Sequence, residues 1–221
     1  MTIIFIFLIG IFCFSNVKKN TLRVAIIDGR VTNFKTHERI IKQGSSETEF
    51  HANSVFNILR RNVNSKKVQY FSYSILDDDF SFDEEDLLKA LSAAEKDHVD
   101  IINLSLSSIL KNENVQTKVE QLIRKNIIIV AAAGNGGPGK PNYPARLNGV
   151  IAVGSKVNSR YSDFSPDEGL EANANGENES YQGKTLKGTS FSTPKITNMI
   201  IKRIIDMKES KRSVKKEYLD K

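Results

Sequence analysis

Short apolar runs alternate along this chain with longer stretches of helical periodicity. Leu22 to Ile27 is a brief run rich in branched residues, the pattern of a strand buried on both faces. Val68 to Ile75 alternates with a period of two, and Ile101 to Leu106, Ile127 to Val130 and Val150 to Val153 are further runs of strand length. Between them the period changes. Val55, Ile58 and Leu59 make one helical stripe within Ala52 to Arg61. Leu87, Leu88, Leu91 and Ala94 make a second that ends towards Asp97, and Val115 to Arg124 reads as a third helix. Beyond Pro194, the residues Ile196, Met199, Ile200 and Ile204 predict one apolar face on a last helix. Strands alternating with helices predict an α/β fold, a three-layer α/β/α arrangement around a mostly parallel sheet. The acidic residues Asp77 to Asp79 and Asp83 to Asp86 precede the second helix, where Ser81-x-x-Glu84 predicts a capping box. No internal repeat interrupts the chain.

With 221 residues the chain suits one domain with a sizeable core. Its 32 basic residues face 26 acidic ones, so a net charge of +6 is spread over a mixed surface. Much of the excess falls in 208–221, which reads as a solvated helix end and not as a nucleic-acid or membrane contact. Met1 to Phe14 is almost continuously apolar. That is short of the roughly 20 residues a membrane span needs, and it fits a signal peptide over 1–15, with cleavage after Ser15. Lys18 and Lys19 follow this run while no basic residue precedes it, so an uncleaved anchor is the alternative reading. Cys13 is the single cysteine, so a chain cleaved there has neither disulfides nor a reactive thiol. The expected division is a signal at 1–15, one domain at 16–207, and a charged tail at 208–221.

Several positions carry candidate chemistry. Asp28-Gly29 follows the first strand at its carboxyl end, where open α/β sheets place functional groups, although an ordinary turn aspartate looks the same. Gly188-Thr189-Ser190-Phe191-Ser192-Thr193-Pro194 reads as a tight turn that delivers Ser190 to a helix start. The unpaired N–H groups there favour developing negative charge. A Ser/Thr-rich N-cap without chemistry has the same composition. Gly134-Asn135-Gly136-Gly137-Pro138-Gly139-Lys140 satisfies G-x-G-x-x-G and nearly satisfies a phosphate-loop pattern. Both motifs need a helix at once, and Pro138, Pro141 and Pro144 oppose one.

Read together, these stretches resemble the motifs of the subtilisin-like (subtilase) serine peptidases, in the family's order. Val24-Ala25-Ile26-Ile27-Asp28-Gly29 resembles its strand and aspartate, and His51-Ala52-Asn53-Ser54-Val55 its histidine helix. Asp100-Ile101-Ile102-Asn103-Leu104-Ser105-Leu106 resembles the cleft strand, and Val130-Ala131-Ala132-Ala133-Gly134-Asn135 the segment with the oxyanion asparagine. Tyr143-Pro144-Ala145 and Val150 to Gly154 resemble the pocket base and the next strand, and Gly188-Thr189-Ser190-x-Ser192-x-Pro194 the nucleophile motif. Departures are Gly29-Arg30 where Thr or Ser and then Gly are usual, Ala52-Asn53 for Gly-Thr, Ser107 for Gly and Asn175 for Pro. Of the three histidines, His37 lies in a polar loop and His98 at the end of a helix-like stretch, and His51 alone pairs a helix start with the family motif, so it is the expected base.

The resemblance implies a subtilisin-like fold and a serine endopeptidase, with 16–207 as the peptidase domain and no recognisable pro-segment within it. Asp28, His51 and Ser190 would form a catalytic triad, with Asn135 and the Ser190 N–H as oxyanion donors. Ser105, Leu106 and Ser107 with Ala133 and Gly134 would bind the substrate backbone, Ser107 narrowing the first pocket. The order Asp…His…Ser excludes an α/β-hydrolase, whose histidine follows the serine, and a chymotrypsin-like protein, whose histidine comes first. No cofactor is expected for the chemistry, and a structural calcium has no recognisable site spacing. The expected partners are polypeptide substrates, with no nucleic acid, and the expected state is a monomer that is secreted or periplasmic. A catalytically impaired subtilase fold that binds peptides or a partner is the alternative, favoured by the Asp28-Gly29-Arg30 turn.

Overall fold

The computed structural model describes residues 21–219. Strands β1 (Leu22–Asp28), β2 (His37–Ile40), β3 (Val68–Ser74), β4 (Ile101–Leu104), β5 (Ile128–Ala132), β6 (Ile151–Val157), β7 (Arg160–Tyr161) and β8 (Ala172–Ala174) form one sheet among the described residues. Its order is β2-β3-β1-β4-β5-β6-β7, with β8 also paired to β6. Every pairing is parallel except β6 with β7. A separate hairpin joins β9 (Glu179–Tyr181) and β10 (Lys184–Leu186). Helices α1 (Ser46–Leu59), α2 (Glu84–Lys96), α3 (Glu113–Arg124) and α4 (Thr189–Leu219) cover the two faces.

The alternation of side chains along β1 assigns the faces. Ala25 and Ile27 pack with Leu87 and Leu91 of α2 and Val119 of α3. Leu22 and Val24 pack with Ile201 and Ile204 of α4, and Ile26 packs with Val55 and Phe56 of α1. Asp28 has the parity of Val24 and Ile26, so it faces the α1/α4 layer. The same parity on β4 turns Ile102 and Leu104 to the α2/α3 side and Asn103 towards α4. The result is the predicted three-layer α/β/α architecture.

Four expectations are corrected locally. α1 begins at Ser46, so His51 stands in its second turn and not at its start. The N-cap of α2 is Asp83, without a side-chain cap, and Ser81 turns back to Asp77, so the capping box does not form. Glu84, Glu85 and Asp86 still occupy the first turn, where the helix dipole favours acids. Met199 is 52% exposed, and Ile201 takes its place in the core. His37 lies on the edge strand β2, stacked on Phe71, and not in a loop. α4 carries helical backbone through Lys208 as far as Leu219. The stretch 1–15, read as a signal or anchor, lies outside the described residues, as does Cys13.

Candidate active site

The chain leaves β1 for β3 and β2 on one side, then crosses to β4, β5 and β6 on the other. The carboxyl ends of β1 and β4 therefore flank a topological switch point, the crevice where open α/β sheets bind ligands. Asp28 closes β1 there and has no solvent exposure. Its Oδ1 accepts from the Gly29 N–H at 2.7 Å and contacts His51 Nδ1 at 2.8 Å. Its Oδ2 is buried with no hydrogen-bond partner among the described residues.

The departure at Gly29 has a steric cause. A Cβ on Gly29 would collide with the carbonyl group of Thr48, so the first turn of α1 lies against β1 at a distance that excludes any side chain. Arg30 is held by Glu38 at 2.9 Å and is thus engaged elsewhere. Asn53, two residues after His51 on α1, accepts from the N–H groups of Thr32 (3.1 Å) and Asn33 (2.8 Å) and so pins the loop that follows Asp28.

The His51 side chain is 15% exposed. Burial alone would push its pKa down. The charge of Asp28 and the hydrogen bond to it together outweigh burial, and the pKa lies above the ordinary 6.5. The imidazole packs against Phe191 (5.4 Å between centroids) and edge-on to Phe80 (5.8 Å). Phe191 is the neighbour of Ser190, so α4 delivers its first turn to the same imidazole.

Ser190 and Ser105 exchange hydrogen bonds. The Ser105 hydroxyl donates to the Ser190 carbonyl at 2.9 Å, and the Ser190 hydroxyl donates to the Ser105 carbonyl at 2.9 Å. Pro194 explains the first of these: it has no N–H for the carbonyl four residues back, which is that of Ser190, and Ser105 supplies the donor instead. Ser105 is oriented by Asn103 (3.1 Å), which in turn accepts from Thr197 on α4 at 2.7 Å. Ser190 makes no hydrogen bond to His51 among the described residues.

Asn135 ends the segment after β5. Its Oδ1 accepts from the Thr189 N–H at 2.9 Å and lies 3.0 Å from the Thr189 hydroxyl, leaving the amide Nδ2 without an acceptor among the described residues. Gly188, at φ 144°, brings its backbone to that amide, whose Nδ2 would lie 3.3 Å from a Cβ there. Ser105, Leu106 and Ser107 run on from β4, and Ala133 and Gly134 from β5. Asn142 joins the two segments: its N–H donates to the Ala133 carbonyl (2.8 Å) and its side chain lies 3.4 Å from the Ser107 hydroxyl. No helix follows Gly134 to Lys140, which removes the geometry a phosphate loop requires. Among the described residues no group of three or more His, Cys, Asp or Glu side chains could hold a metal ion.

Thus Asp28 and His51 are in direct contact, Ser190 and Ser105 are in direct contact, and the two pairs meet at Phe191. His98 lies in the turn after α2 and His37 on β2, and neither reaches this cluster. Three participants were not foreseen. Thr189 could have been suspected from its place between Gly188 and Ser190. Asn142 and Phe80 lie in loops whose sequence carries no local signal for the site.

Comparison with known proteins bears on the family and the fold. A model of the subtilase family matches residues 63–204, which include Asn135 and Ser190. The chain is 26% identical over 204 residues to a thermostable alkaline protease of Halalkalibacterium halodurans, covering 81% of this chain and 56% of that protein. It is 33% identical over 117 residues to subtilisin Savinase of Lederbergia lenta, covering 50% of this chain and 44% of that protein. The chain thus spans about half the length of these curated relatives. Among solved structures, the prenylagaramide maturation protease PagA superposes with a TM-score of 0.72 at 20% identity, covering 87% of this chain and 78% of that one, a likeness of fold. The family match over most of the chain, joined to the sheet order and the residues at its switch point, leads to one assignment: this chain belongs to the subtilase family.

Proposed function

We propose that the protein is a serine endopeptidase in which Asp28, His51 and Ser190 act as a triad. The observation that carries this reading is the 2.8 Å contact between the buried Asp28 carboxylate and His51, at the switch point beside the start of α4. On substrate binding the Ser190 hydroxyl turns from the Ser105 carbonyl to His51 and attacks the peptide carbonyl as the imidazole takes its proton. Asp28 holds the tautomer and balances the imidazolium. The free amide of Asn135 and the Ser190 N–H receive the oxyanion. His51 returns the proton to the leaving amine, and water then cleaves the acyl-enzyme. Ser105 to Ser107, with Ala133 and Gly134, offer backbone to an extended polypeptide, and the Ser107–Asn142 contact narrows the first pocket. The reaction runs on these side chains and water, without a cofactor. Residues 1–15 would direct export, and no helix among the described residues is long and apolar enough to cross a membrane.

A second reading, a peptide-binding module without turnover, draws on the Ser190 hydroxyl being engaged by Ser105 and on the unpartnered Asp28 Oδ2. One experiment separates the two. The purified chain is expected to hydrolyse casein and to be labelled by a serine-directed phosphonate. Ser190→Ala should abolish labelling and lower kcat by roughly 10⁶, the size of that effect in subtilisin, with the fold intact by circular dichroism. A folded wild-type protein that neither cleaves nor labels would establish the binding module instead, and labelling that survives in Ser190→Ala would exclude Ser190 as nucleophile.

A further inference from the structure

The hairpin of β9 and β10 stands outside the main sheet, and none of the steps above uses it. Its two ends meet beside the proposed nucleophile: the Gly188 N–H donates to the Gly176 carbonyl at 2.8 Å, two residues before Ser190. Strand parity puts Glu179 and Tyr181 on one face and leaves Ser180 exposed on the other. The Tyr181 hydroxyl accepts from the Asn33 side chain at 3.0 Å, in the loop after Asp28 that Asn53 pins. Its ring meets Phe50, the residue before His51, edge-on at 5.4 Å. The Glu179 carboxylate contacts Arg61, just beyond α1, at 3.3 Å, and Lys195 in the second turn of α4. Lys195 donates as well to the Asn175 carbonyl at 2.6 Å, at the root of the hairpin. The Glu179 side chain is only 12% exposed, so little water screens it from two cations that would otherwise repel where α1 and α4 join.

We propose that Glu179 is a positioning residue: it braces α1 against α4 and so sets the gap that the Ser190 hydroxyl crosses to reach His51. The proposal rests on the proteolytic reading above. The Ser190 hydroxyl donates to the Ser105 carbonyl, so turnover depends on a short rotation from a serine on α4 towards an imidazole on α1. The two helices share an apolar seam, where Phe191 packs with Val55 and Phe56. Apolar packing is non-directional and by itself lets one helix slide on the other. Asn198 of α4 supplies one directional tie, donating to the carbonyls of Leu59 (2.8 Å) and Arg61 (2.9 Å) at the end of α1. One tie alone is a pivot. The second, from Arg61 through Glu179 to Lys195, lies a turn nearer Ser190 and fixes the angle at which α4 presents its first turn to His51.

The test compares the full chain with Glu179→Gln, which keeps the size of the side chain and removes its charge. A peptide nitroanilide is the substrate, and active sites are counted with the serine-directed phosphonate so that unfolded protein does not enter the rate. Glu179→Gln should lower kcat by about tenfold with KM held, because a small misplacement of reacting groups costs rate and not binding. The acid midpoint of the pH profile should stay, since the Asp28–His51 contact is untouched. Lys195→Met should show the same split, and the double variant should lose no more than the larger single one, because both remove one tie. An unchanged kcat overturns the proposal, as does a loss carried by KM, a shifted midpoint or losses that add. Should Glu179→Gln not fold, Lys195→Met decides by the same split. If the wild type neither cleaves nor takes up the phosphonate, the proteolytic reading fails by itself. Hydrogen exchange in Ser190→Ala, with and without Glu179→Gln, then reads the brace without catalysis. Faster exchange over 46–52 of α1, with α3 unchanged, would still uphold it, and equal rates would overturn it.

Discussion

A buried carboxylate acts on its neighbour far more strongly than one in water, because little solvent screens it. Asp28 has no exposure, and its effect on His51 exceeds the opposing effect of burial, so the imidazole holds its proton above pH 6.5. A base must be neutral to accept a proton, so kcat/KM should fall on the acid side with a midpoint above 6.5. Asp28→Asn removes the carboxylate charge, the larger of the two raising influences, so the midpoint should drop and kcat should fall by roughly 10⁴, as for the equivalent change in another serine protease. A pH–rate profile of the two proteins checks both. The stability linkage has the opposite sense. A raised histidine pKa stabilises the fold fully below 6.5, and that contribution is lost as pH rises through the folded value. At this scale the candidate residues Asp28, His51, Ser190 and Asn135 could be singled out because each sits in a short motif of its own. Phe80 and Asn142 were not, since nothing within a few residues of either points to His51 or Ser107.

Among the elements, the approach of α1 to β1 decides the most. The sequence departure at Gly29 looks like a lost hydroxyl, yet the Thr48 carbonyl occupies the space that any side chain would need. Gly29→Ala must displace backbone, and we expect a loss of about 1–3 kcal/mol in chemical denaturation. Because α1 carries His51, activity per folded molecule should fall as well, which a simple surface change would not cause. Strands β1, β3, β4, β5 and β6 were legible as apolar runs, since burial on both faces leaves such runs. β2 was not, because its four residues are all exposed and it exists through its register with β3, His37 against Phe71 and Ile40 against Ser74. The misplaced Met199 has a similar origin. Ile200 and Ile201 are both apolar, and periodicity could not say which side of that pair faces the sheet until α4 docked.

The described residues build two helical layers on one large sheet, with a separate β9–β10 hairpin, and only the α1/α4 layer carries the proposed chemistry. The other layer is tied together by charge. Glu95 of α2 sits between Lys118 of α3 (2.6 Å) and Lys125 (2.5 Å) just beyond it, and their hydrogen bonds hold its pKa down at about 2. A depressed carboxylate stabilises the fold above its unfolded pKa, near 4.5, and loses that contribution as pH falls towards 2. Glu95→Gln should therefore lower Tm at pH 7 by the equivalent of about 0.5–1 kcal/mol, the usual worth of a partly exposed pair. The gap between the two proteins should close as pH falls below 4.5. Thermal melts across pH measure this, and kcat should be unaffected, since the pair lies in the layer away from His51.

The amino-acid sequence by itself determined the α/β class, the parallel sheet and the identity of the residues at its carboxyl edge. Those properties follow from local periodicity and from motifs that each span a few neighbouring residues. The tertiary structure decided what those residues touch. Side-chain parity turned Asp28 towards α1, the missing N–H of Pro194 let Ser105 take the Ser190 carbonyl, and the clasp of Asp77 on Ser81 set Phe80 over His51. Each of these joins groups distant in the chain, or sets a loop against a helix it does not belong to. Contacts of that kind depend on how layers pack, which no local pattern of residues encodes.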